Sequence, residues 1–205
     1  QDAPELLDLL PILQDVLARG AKHSHLHRDI TEQAIANTIW AFGQTHSECS
    51  CNPLALNSLL AKAEEYLSRF TGQGLATMCW GLAQCNFQNR DFMWKVADEL
   101  VRRCPSLPNR AARLDLPEAA CSFAKLDMHH GAMLQAIAIR SLPVVKIFSD
   151  WGLCALVWSY QVLDHDDRFV EFRDQLRAEA CKRSLSTSDV LASQRGRMVF
   201  GNTGE

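Results

Sequence analysis

The sequence predicts an all-α protein: an α-solenoid of about four and a half antiparallel helical pairs with a period near 40 residues. Two observations predict this fold class. A repeated segment places its anchor residue at positions 40, 80, 121 and 158, at intervals of 40, 41 and 37 residues, and periods of this length are typical of stacked helical hairpins. Within the segment, apolar residues recur at helical spacing, as at positions 35, 39 and 42 and again at 75, 79 and 82.

The composition favours a single helical-repeat domain over residues 1–205. The chain is 47% hydrophobic, which excludes disorder, and its net charge of -3 disfavours a generic polyanion-binding domain. No apolar run approaches the ~18 residues of a membrane span. The eight cysteines show no disulfide-framework spacing, which indicates a reducing compartment. The opening Gln1-Asp2-Ala3-Pro4 lacks an initiator Met and a signal-peptide pattern, which is typical of a processed or trimmed chain.

The predicted units follow the repeat along the chain. A partial unit covers residues 1–28, and four full units cover 29–69, 70–113, 114–147 and 148–184. Residues 185–205 are predicted to form a partial or capping unit, because one face of a terminal repeat must meet water.

The first helix of three units begins at a hydroxyl residue. Thr31, Thr71 and Ser149 are predicted N-caps, whose side-chain oxygen accepts an amide hydrogen from the first turn. An apolar residue precedes each cap and another follows it by four residues, as Ile30 and Ile35 do. This is the spacing of a hydrophobic staple, which fixes how the chain enters the helix.

The anchor residues hold one fixed position in each unit. They are Trp40, Trp80, Cys121 and Trp158. Tryptophans can stack on nucleobases, but a fixed position beside apolar residues favours core anchors. Small residues at positions 36, 43, 76, 81, 83 and 124 would let neighbouring helices approach closely.

A second amphipathic helix is predicted after each first helix, at residues 53–69, 89–104, 132–142 and 167–183. Pro53 and Asn89 are typical of helix starts. The third unit is degenerate, with Pro117 early in its first helix.

Two segments resemble the octotricopeptide repeat. They are Phe70-Thr71-Gly72-Gln73-Gly74-Leu75-Ala76-Thr77-Met78-Cys79-Trp80-Gly81-Leu82-Ala83 and Gln33-Ala34-Ile35-Ala36-Asn37-Thr38-Ile39-Trp40-Ala41-Phe42. These helical hairpins are abundant in organelle-targeted proteins of algae, dinoflagellates and apicomplexans, and the signature also accompanies RAP domains. The resemblance covers about residues 28–183. It implies residence in a plastid or mitochondrion and, most often, RNA binding in transcript processing or translation.

The charge pattern weakens the RNA-binding expectation for this chain. First helices at 31–45, 71–88 and 149–163 contain no Lys or Arg, although RNA readout needs positive charge for the phosphates. One basic cluster stands apart, and its members are Arg102, Arg103, Arg110 and Arg113. Because Pro105 and Pro108 interrupt it, the cluster is predicted to be an irregular connector that meets either phosphates or an acidic partner, or is simply an exposed loop.

Candidate metal and catalytic residues are few. His23, His25 and His27 alternate, and Cys49 and Cys51 form a nearby pair, but neither group has the spacing of a zinc site. The histidines at 46, 129, 130 and 165 fall at predicted turns, where polar residues are ordinary. No catalytic motif is present, so the sequence predicts no enzyme, no metal and no cofactor.

The leading functional hypothesis is a non-catalytic helical-repeat binding module. It would act as a scaffold or accessory subunit of an organellar multiprotein assembly, a photosynthetic supercomplex or an organellar ribosome. Its candidate partner contacts are the off-register Trp94 and Trp151, together with Met128 and the four connector arginines. The alternative is an organellar RNA-binding protein whose first helices read a single strand through polar residues, namely Gln33, Asn37, Gln73 and Thr77.

Overall fold

The computed structural model describes residues 14, 15, 17, 30–46 and 50–186, and every regular element in this part of the chain is helical. The predicted all-α fold class is confirmed. Between Glu32 and Lys182 the α-helices are α1 Glu32–Thr45, α2 Pro53–Glu65, α3 Gly72–Gln84, α4 Arg90–Arg103, α5 Asn109–Lys125, α6 Gly131–Ser141, α7 Asp150–Leu163 and α8 Val170–Lys182. Short 3-10 helices follow three of them, at Leu67–Arg69, Cys104–Ser106 and Leu142–Ile147. The predicted partial units at 1–28 and 185–205 lie almost entirely outside the described residues.

The chain forms two compact units. The first unit ends at Leu100 and the second begins at Val101, so the boundary falls within α4. None of the helices in the described segments combines the length and apolarity that crossing a bilayer requires.

The helix starts follow the predicted caps. Thr31 Oγ1 accepts a hydrogen bond from the Ala34 amide at 3.2 Å and begins α1. Equivalent bonds begin α3 and α7, from the Gly74 amide to Thr71 Oγ1 at 3.0 Å and from the Gly152 amide to Ser149 Oγ at 3.1 Å. Each cap satisfies one amide that the helix itself leaves without a partner, which is worth about 1 kcal/mol.

In the first unit, α1 and α3 pack side by side as the first helices of successive pairs. Gly43 and Gly81 bring the two backbones together: a Cβ atom on Gly43 would stand 2.8 Å from Gly81 Cα, and one on Gly81 would stand 2.5 Å from the Ile39 carbonyl oxygen. Both glycines are among the small residues expected at close helix contacts. Fully buried apolar side chains fill the interface, among them Ile35, Ile39, Phe42, Leu75, Met78 and Leu82.

In the second unit, α5 and α7 repeat this side-by-side arrangement. Tyr160 is fully buried on α7, and its hydroxyl donates a hydrogen bond to the Leu134 carbonyl at 2.6 Å. Its ring also meets the rings of Phe169 and Phe172 edge-on, at centroid distances of 5.3 and 4.9 Å. The aromatic cluster therefore joins α6, α7 and α8 within one core.

The third pair begins earlier than the sequence predicts. Helix α5 starts at Asn109, so the expected unit boundary between residues 113 and 114 falls inside it, and Arg110 and Arg113 are helical rather than part of an irregular connector. Pro117 lies in the middle of α5. Proline donates no amide hydrogen to the carbonyl four residues earlier, that of Arg113, and α7 approaches this point through Gly152, where a Cβ would stand 3.3 Å from Pro117 Cγ.

The second helices begin within three residues of their predicted starts, at Pro53, Arg90, Gly131 and Val170. They end earlier than predicted, by one to four residues. In the first, second and third pairs the remaining residues continue as a 3-10 helix, the tighter turn that often closes an α-helix.

Candidate functional site

The four repeat anchors differ in burial. Trp80 and Cys121 lie in the core with 5% and 6% of their surface exposed, whereas Trp40 and Trp158 are half-buried. Trp40 contacts Trp80 with ring centroids 6.4 Å apart. Trp40 and Trp158 therefore combine packing against the helix layer with a solvent-accessible edge.

The candidate partner contacts do not all reach the surface. Trp94 is half-buried, with the Arg90 guanidinium 4.6 Å from its ring centroid. Trp151 is also half-buried, and its indole Nε1 is buried without a hydrogen-bond partner among the described residues. Met128 is only 6% exposed. The chain turns back at Asp127, which has a φ of 53°, and the Met128 amide bonds the Phe123 carbonyl at 2.9 Å, so this side chain points inward and offers no partner contact.

The connector arginines lie at helix ends. Arg102 and Arg103 occupy the last turn of α4, where positive charge suits the helix dipole. Arg110 and Arg113 lie near the start of α5, where positive charge is unfavourable to the dipole. Arg102 and Arg110 are exposed, and the other two are half-buried.

Most other cations of the second helices face acids of the same unit. In the first unit, Lys95 Nζ lies 2.6 Å from Glu64 Oε2, and Arg69 Nη2 lies 3.3 Å from Glu32 Oε2. In the second unit, Arg183 Nε lies 2.8 Å from Glu179 Oε1. Surface pairs of this kind contribute little stability, but they neutralise charge that phosphate groups would otherwise use.

Helix α6 has an unusual outer face. Together with the start of the 3-10 helix that follows, it presents side chains without charge. We call this surface the α6 apolar face, and its members are Ala132, Ala136 and Ile139 of α6 and Leu142 and Pro143 of the 3-10 helix. Ile139 is 64% exposed and Leu142 is 43% exposed. The single charged residue of the helix, Arg140, is directed to the Leu107 carbonyl, with Nε 3.0 Å from the oxygen. The sequence analysis missed this face. The signal that could have revealed it is the low number of charged residues in α6 compared with α4 and α8.

A second feature that the sequence analysis missed is a thiol–imidazole cluster of His46, Cys51 and Cys85 in the first unit. His46 is the C-cap of α1 and Cys85 is the C-cap of α3, so the pairing of α1 with α3 brings the two residues together. Cys51 lies just before α2. The Sγ atoms of Cys51 and Cys85 are 2.7 Å apart, and the donor atoms of all three residues lie within 4.8 Å of one another.

The electrostatics of the thiol–imidazole cluster favour an ionised sulfur on Cys51. The hydrogen bond from Cys85 and the smaller effect of His46 together lower the pKa of Cys51 to about 6, against the opposing effect of burial. The same hydrogen bond, together with burial, raises the pKa of Cys85, which therefore keeps its proton and donates it. The His46 Nδ1 atom is buried and has no hydrogen-bond partner among the described residues.

Two carboxyl groups with raised pKa values lie on α5, the buried Asp115 and the half-buried Glu118. Asp115 is 4% exposed, and burial raises its pKa to about 6. Burial, reinforced by Asp115, raises the pKa of Glu118 to about 7. Asp115 and Glu118 stand on either side of Leu116 and Pro117 in the middle of α5, the helix that packs against α7. This placement indicates a structural role and not an open cleft.

The remaining predicted candidates divide into two groups. His23, His25, His27 and Cys49 lie outside the described residues. Of the turn histidines, His130 caps α6 by accepting from the Met133 amide at 3.1 Å, and His129 and His165 lie with ring centroids 6.2 Å apart.

Comparison with known proteins adds no family: no protein-family model matches the sequence, and no curated protein matches it. The resemblance to octotricopeptide repeats therefore rests on the two quoted segments, and functional arguments rest on the geometry of each unit.

Proposed function

We propose that the protein is a non-catalytic helical-repeat binding module that docks a protein partner. It serves as a scaffold or accessory subunit of an organellar multiprotein assembly, such as a photosynthetic supercomplex or an organellar ribosome. The observation that carries the proposal is the α6 apolar face, which presents Ile139 of α6 and Leu142 of the following 3-10 helix to solvent in a stretch without acidic residues.

The energetics of the α6 apolar face favour a protein partner. Ile139 and Leu142 lie three residues apart, on the same side of the helix. Burying a side chain of either kind completely is worth about 1.5–3 kcal/mol, and a partner can recover the part that is still exposed here. An aliphatic face of this kind fits the apolar side of a partner helix, whereas RNA requires cations and stacking surfaces.

The charges argue in the same direction. Three of the four described first helices, α1, α3 and α7, contain no Lys or Arg, whereas α5 carries Arg110, Arg113 and Lys125. The cations of the second helices are largely paired with acids. Gln33 and Asn37, which the RNA alternative assigns to base reading, are exposed and hydrogen-bond each other at 2.9 Å. The exposed Arg102 and Arg110 are the best support for the RNA alternative.

The test is native purification of the protein from its own cells with and without RNase, followed by identification of what co-purifies. We expect a stoichiometric set of organellar proteins that survives RNase and is lost in the variant Ile139→Glu/Leu142→Glu. Gln161→Glu/Gln175→Glu is the matched control, because it adds the same two negative charges at exposed positions of α7 and α8, outside the α6 apolar face. Dissociation on RNase, with one short RNA sequence enriched, would replace the proposal with the RNA-binding alternative.

The organellar location is tested separately by imaging the tagged full-length protein. We expect the signal to coincide with a plastid or mitochondrial marker. A purely cytosolic signal would remove the organellar part of the proposal and leave the protein-binding role untouched.

A further inference from the structure

We propose that the first unit contains a metal site in which the imidazole of His46 and the thiolates of Cys51 and Cys85 bind one Zn²⁺ ion. This inference is independent of the α6 apolar face and of the identity of any partner, because all three residues lie in the first unit. It revises the expectation from sequence that no metal is bound.

The donor set matches zinc. Thiolate sulfur and imidazole nitrogen are the ligands that Zn²⁺ prefers, and two cysteines with one histidine form a known three-ligand set that leaves the fourth position to water or another group. Hard cations such as Mg²⁺ and Ca²⁺ require oxygen ligands, which the thiol–imidazole cluster does not offer. Two thiolates would neutralise the charge of a divalent ion, so a bound Zn²⁺ would leave no net charge at this half-buried position.

The buried Nδ1 atom of His46 is a second, independent observation. A buried polar atom with no partner costs free energy, and native structures retain few such atoms. Within the described residues this nitrogen has no hydrogen-bond partner, while two sulfur atoms lie within 4.8 Å of a His46 ring nitrogen. A metal ion bound to this nitrogen and shared with the sulfurs would give Nδ1 the partner that it lacks.

The backbone around the thiol–imidazole cluster also favours a cation. His46 caps the carboxyl end of α1 and Cys85 caps the carboxyl end of α3, so two helices direct their partially negative ends to the same place. Cys51 Sγ already lies 3.4 Å from the Phe42 carbonyl oxygen. A positive ion at this position is stabilised by these dipoles.

The sulfur separation requires only a small adjustment. Two thiolates bound to one tetrahedral zinc with ~2.3 Å bonds lie about 3.8 Å apart, so the present separation of 2.7 Å must widen by about 1 Å. Rotation of the Cys51 side chain provides this, because its residue precedes α2 and is half-buried. A disulfide would instead require the sulfurs to close to ~2.05 Å and would leave the His46 nitrogen unpartnered.

The experiment is a metal titration of the reduced full chain after chelator treatment, under exclusion of oxygen. Co²⁺ is the spectroscopic probe, because thiolate ligation gives a sulfur-to-metal charge-transfer band, and Zn²⁺ is then added as the competitor. We expect one equivalent of Co²⁺ to produce the band, one equivalent of Zn²⁺ to abolish it, and elemental analysis to find one zinc per chain.

Variants assign the ligands. We expect Cys51→Ser, Cys85→Ser and His46→Gln each to weaken Zn²⁺ binding by at least about tenfold. Cys79→Ala and Cys181→Ser are matched controls, a buried thiol of α3 and an exposed thiol of α8, and both should keep one bound equivalent. Circular dichroism of each variant tests whether the helices remain. If the buried serine of Cys85→Ser prevents folding, Cys85→Ala replaces it.

Two results would overturn the proposal. One is the absence of a charge-transfer band and of stoichiometric zinc in the reduced, folded wild-type chain. The other is zinc binding that is unchanged in all three ligand variants. If the reduced chain binds no metal and glutathione disulfide links Cys51 to Cys85, the two thiols are a redox pair and not a metal site.

Discussion

Gly81 determines how closely α1 and α3 approach. Its position has no room for a side chain, because a Cβ atom would stand 2.5 Å from the Ile39 carbonyl oxygen and 2.9 Å from the Ile39 side chain. The first of these neighbours is backbone and cannot rotate away, so an added methyl group must separate the helices. The pairing of α1 with α3 in turn places His46 beside Cys85, and thus a single glycine supports both the core and the thiol–imidazole cluster.

We therefore expect Gly81→Ala to lower the free energy of unfolding of the first unit by roughly 1–3 kcal/mol, despite the better helix propensity of alanine. Urea denaturation monitored by circular dichroism measures this change. Gly131→Ala is the matched control, because a Cβ there meets nothing closer than 3.6 Å. Equal unfolding midpoints for the two variants would contradict the close-contact argument.

The carboxyl groups of Asp115 and Glu118 on α5 make stability depend on pH. Their pKa values are raised, Asp115 to about 6 and Glu118 to about 7, whereas the unfolded values are 3.8 and 4.5. Between pH ~4 and ~7 the folded state thus binds more protons than the unfolded state, and stability falls as pH rises through this window. We expect the second unit to be more stable near pH 5 than near pH 8, by an amount of order 2 kcal/mol.

Asp115→Asn combined with Glu118→Gln tests the origin of this pH dependence. Both replacements imitate the protonated form, so thermal melting temperatures of the variant should change much less between pH 5 and pH 8 than those of the wild type. Asp166→Asn with Asp167→Asn is the control, since these aspartates are exposed. A variant that keeps the full wild-type slope would show that other groups titrate.

At the scale of the element, each helical hairpin is closed by local and non-local bonds. The cap oxygens of Thr31, Thr71 and Ser149 begin the first helices. In each pair of the second unit, an arginine at the end of the second helix donates a hydrogen bond to a backbone carbonyl that lies just before the first helix of the same pair. Arg140 reaches the Leu107 carbonyl, and Arg183 Nη1 donates to the Phe148 carbonyl at 2.8 Å.

The N-cap of α3 is the simplest element to test. We expect Thr71→Ala to lower the free energy of unfolding by about 1 kcal/mol, because the Gly74 amide loses its partner. Thr71→Ser retains the hydroxyl and should cost less than half as much. Guanidinium denaturation of both variants measures the difference, and equal losses would mean that the methyl group of Thr71, not its oxygen, stabilises the helix start.

Local signals in the sequence predict the helices well, but they do not predict contacts between residues that are far apart in the chain. Phe70 and Thr71 predict the start of α3, because they form its apolar N′ position and its N-cap. Helix α5 begins at Asn109 without a side-chain cap, and the proline at 117 predicts a later start. Cys51 and Cys85 are separated by 34 residues, so no local pattern predicts their contact. The repeat gives one indication: Cys85 follows Thr45 by one period of 40, which places Cys85 at the end of α3 where Thr45 stands at the end of α1. Met128 is buried because the backbone at Asp127 is left-handed, with a φ of 53°. The polar residues of this turn do not predict that conformation.

At the scale of the whole molecule, charge decides between the two kinds of partner. The chain has a net charge of -3, and three of its four described first helices, α1, α3 and α7, lack Lys and Arg. Many basic residues of the second helices face acids at 2.6–3.6 Å, among them Lys62, Lys95 and Arg173. Among the candidate arginines, phosphate binding would have to rely on the exposed Arg102 at the end of α4 and Arg110 near the start of α5, whereas the α6 apolar face requires no charge.

Salt dependence therefore distinguishes the two kinds of partner in one measurement. We expect the affinity for the purified protein partner to change less than about threefold between about 50 and about 200 mM NaCl, because burial of apolar surface releases no counterions. A complex that relies on six or more phosphate contacts would lose roughly a thousandfold over the same range. Isothermal titration calorimetry at both salt concentrations gives the dissociation constants, and Arg102→Glu/Arg103→Glu serves as the charge-reversed comparison. A steep salt slope that this variant abolishes would assign binding to the arginines and away from α6.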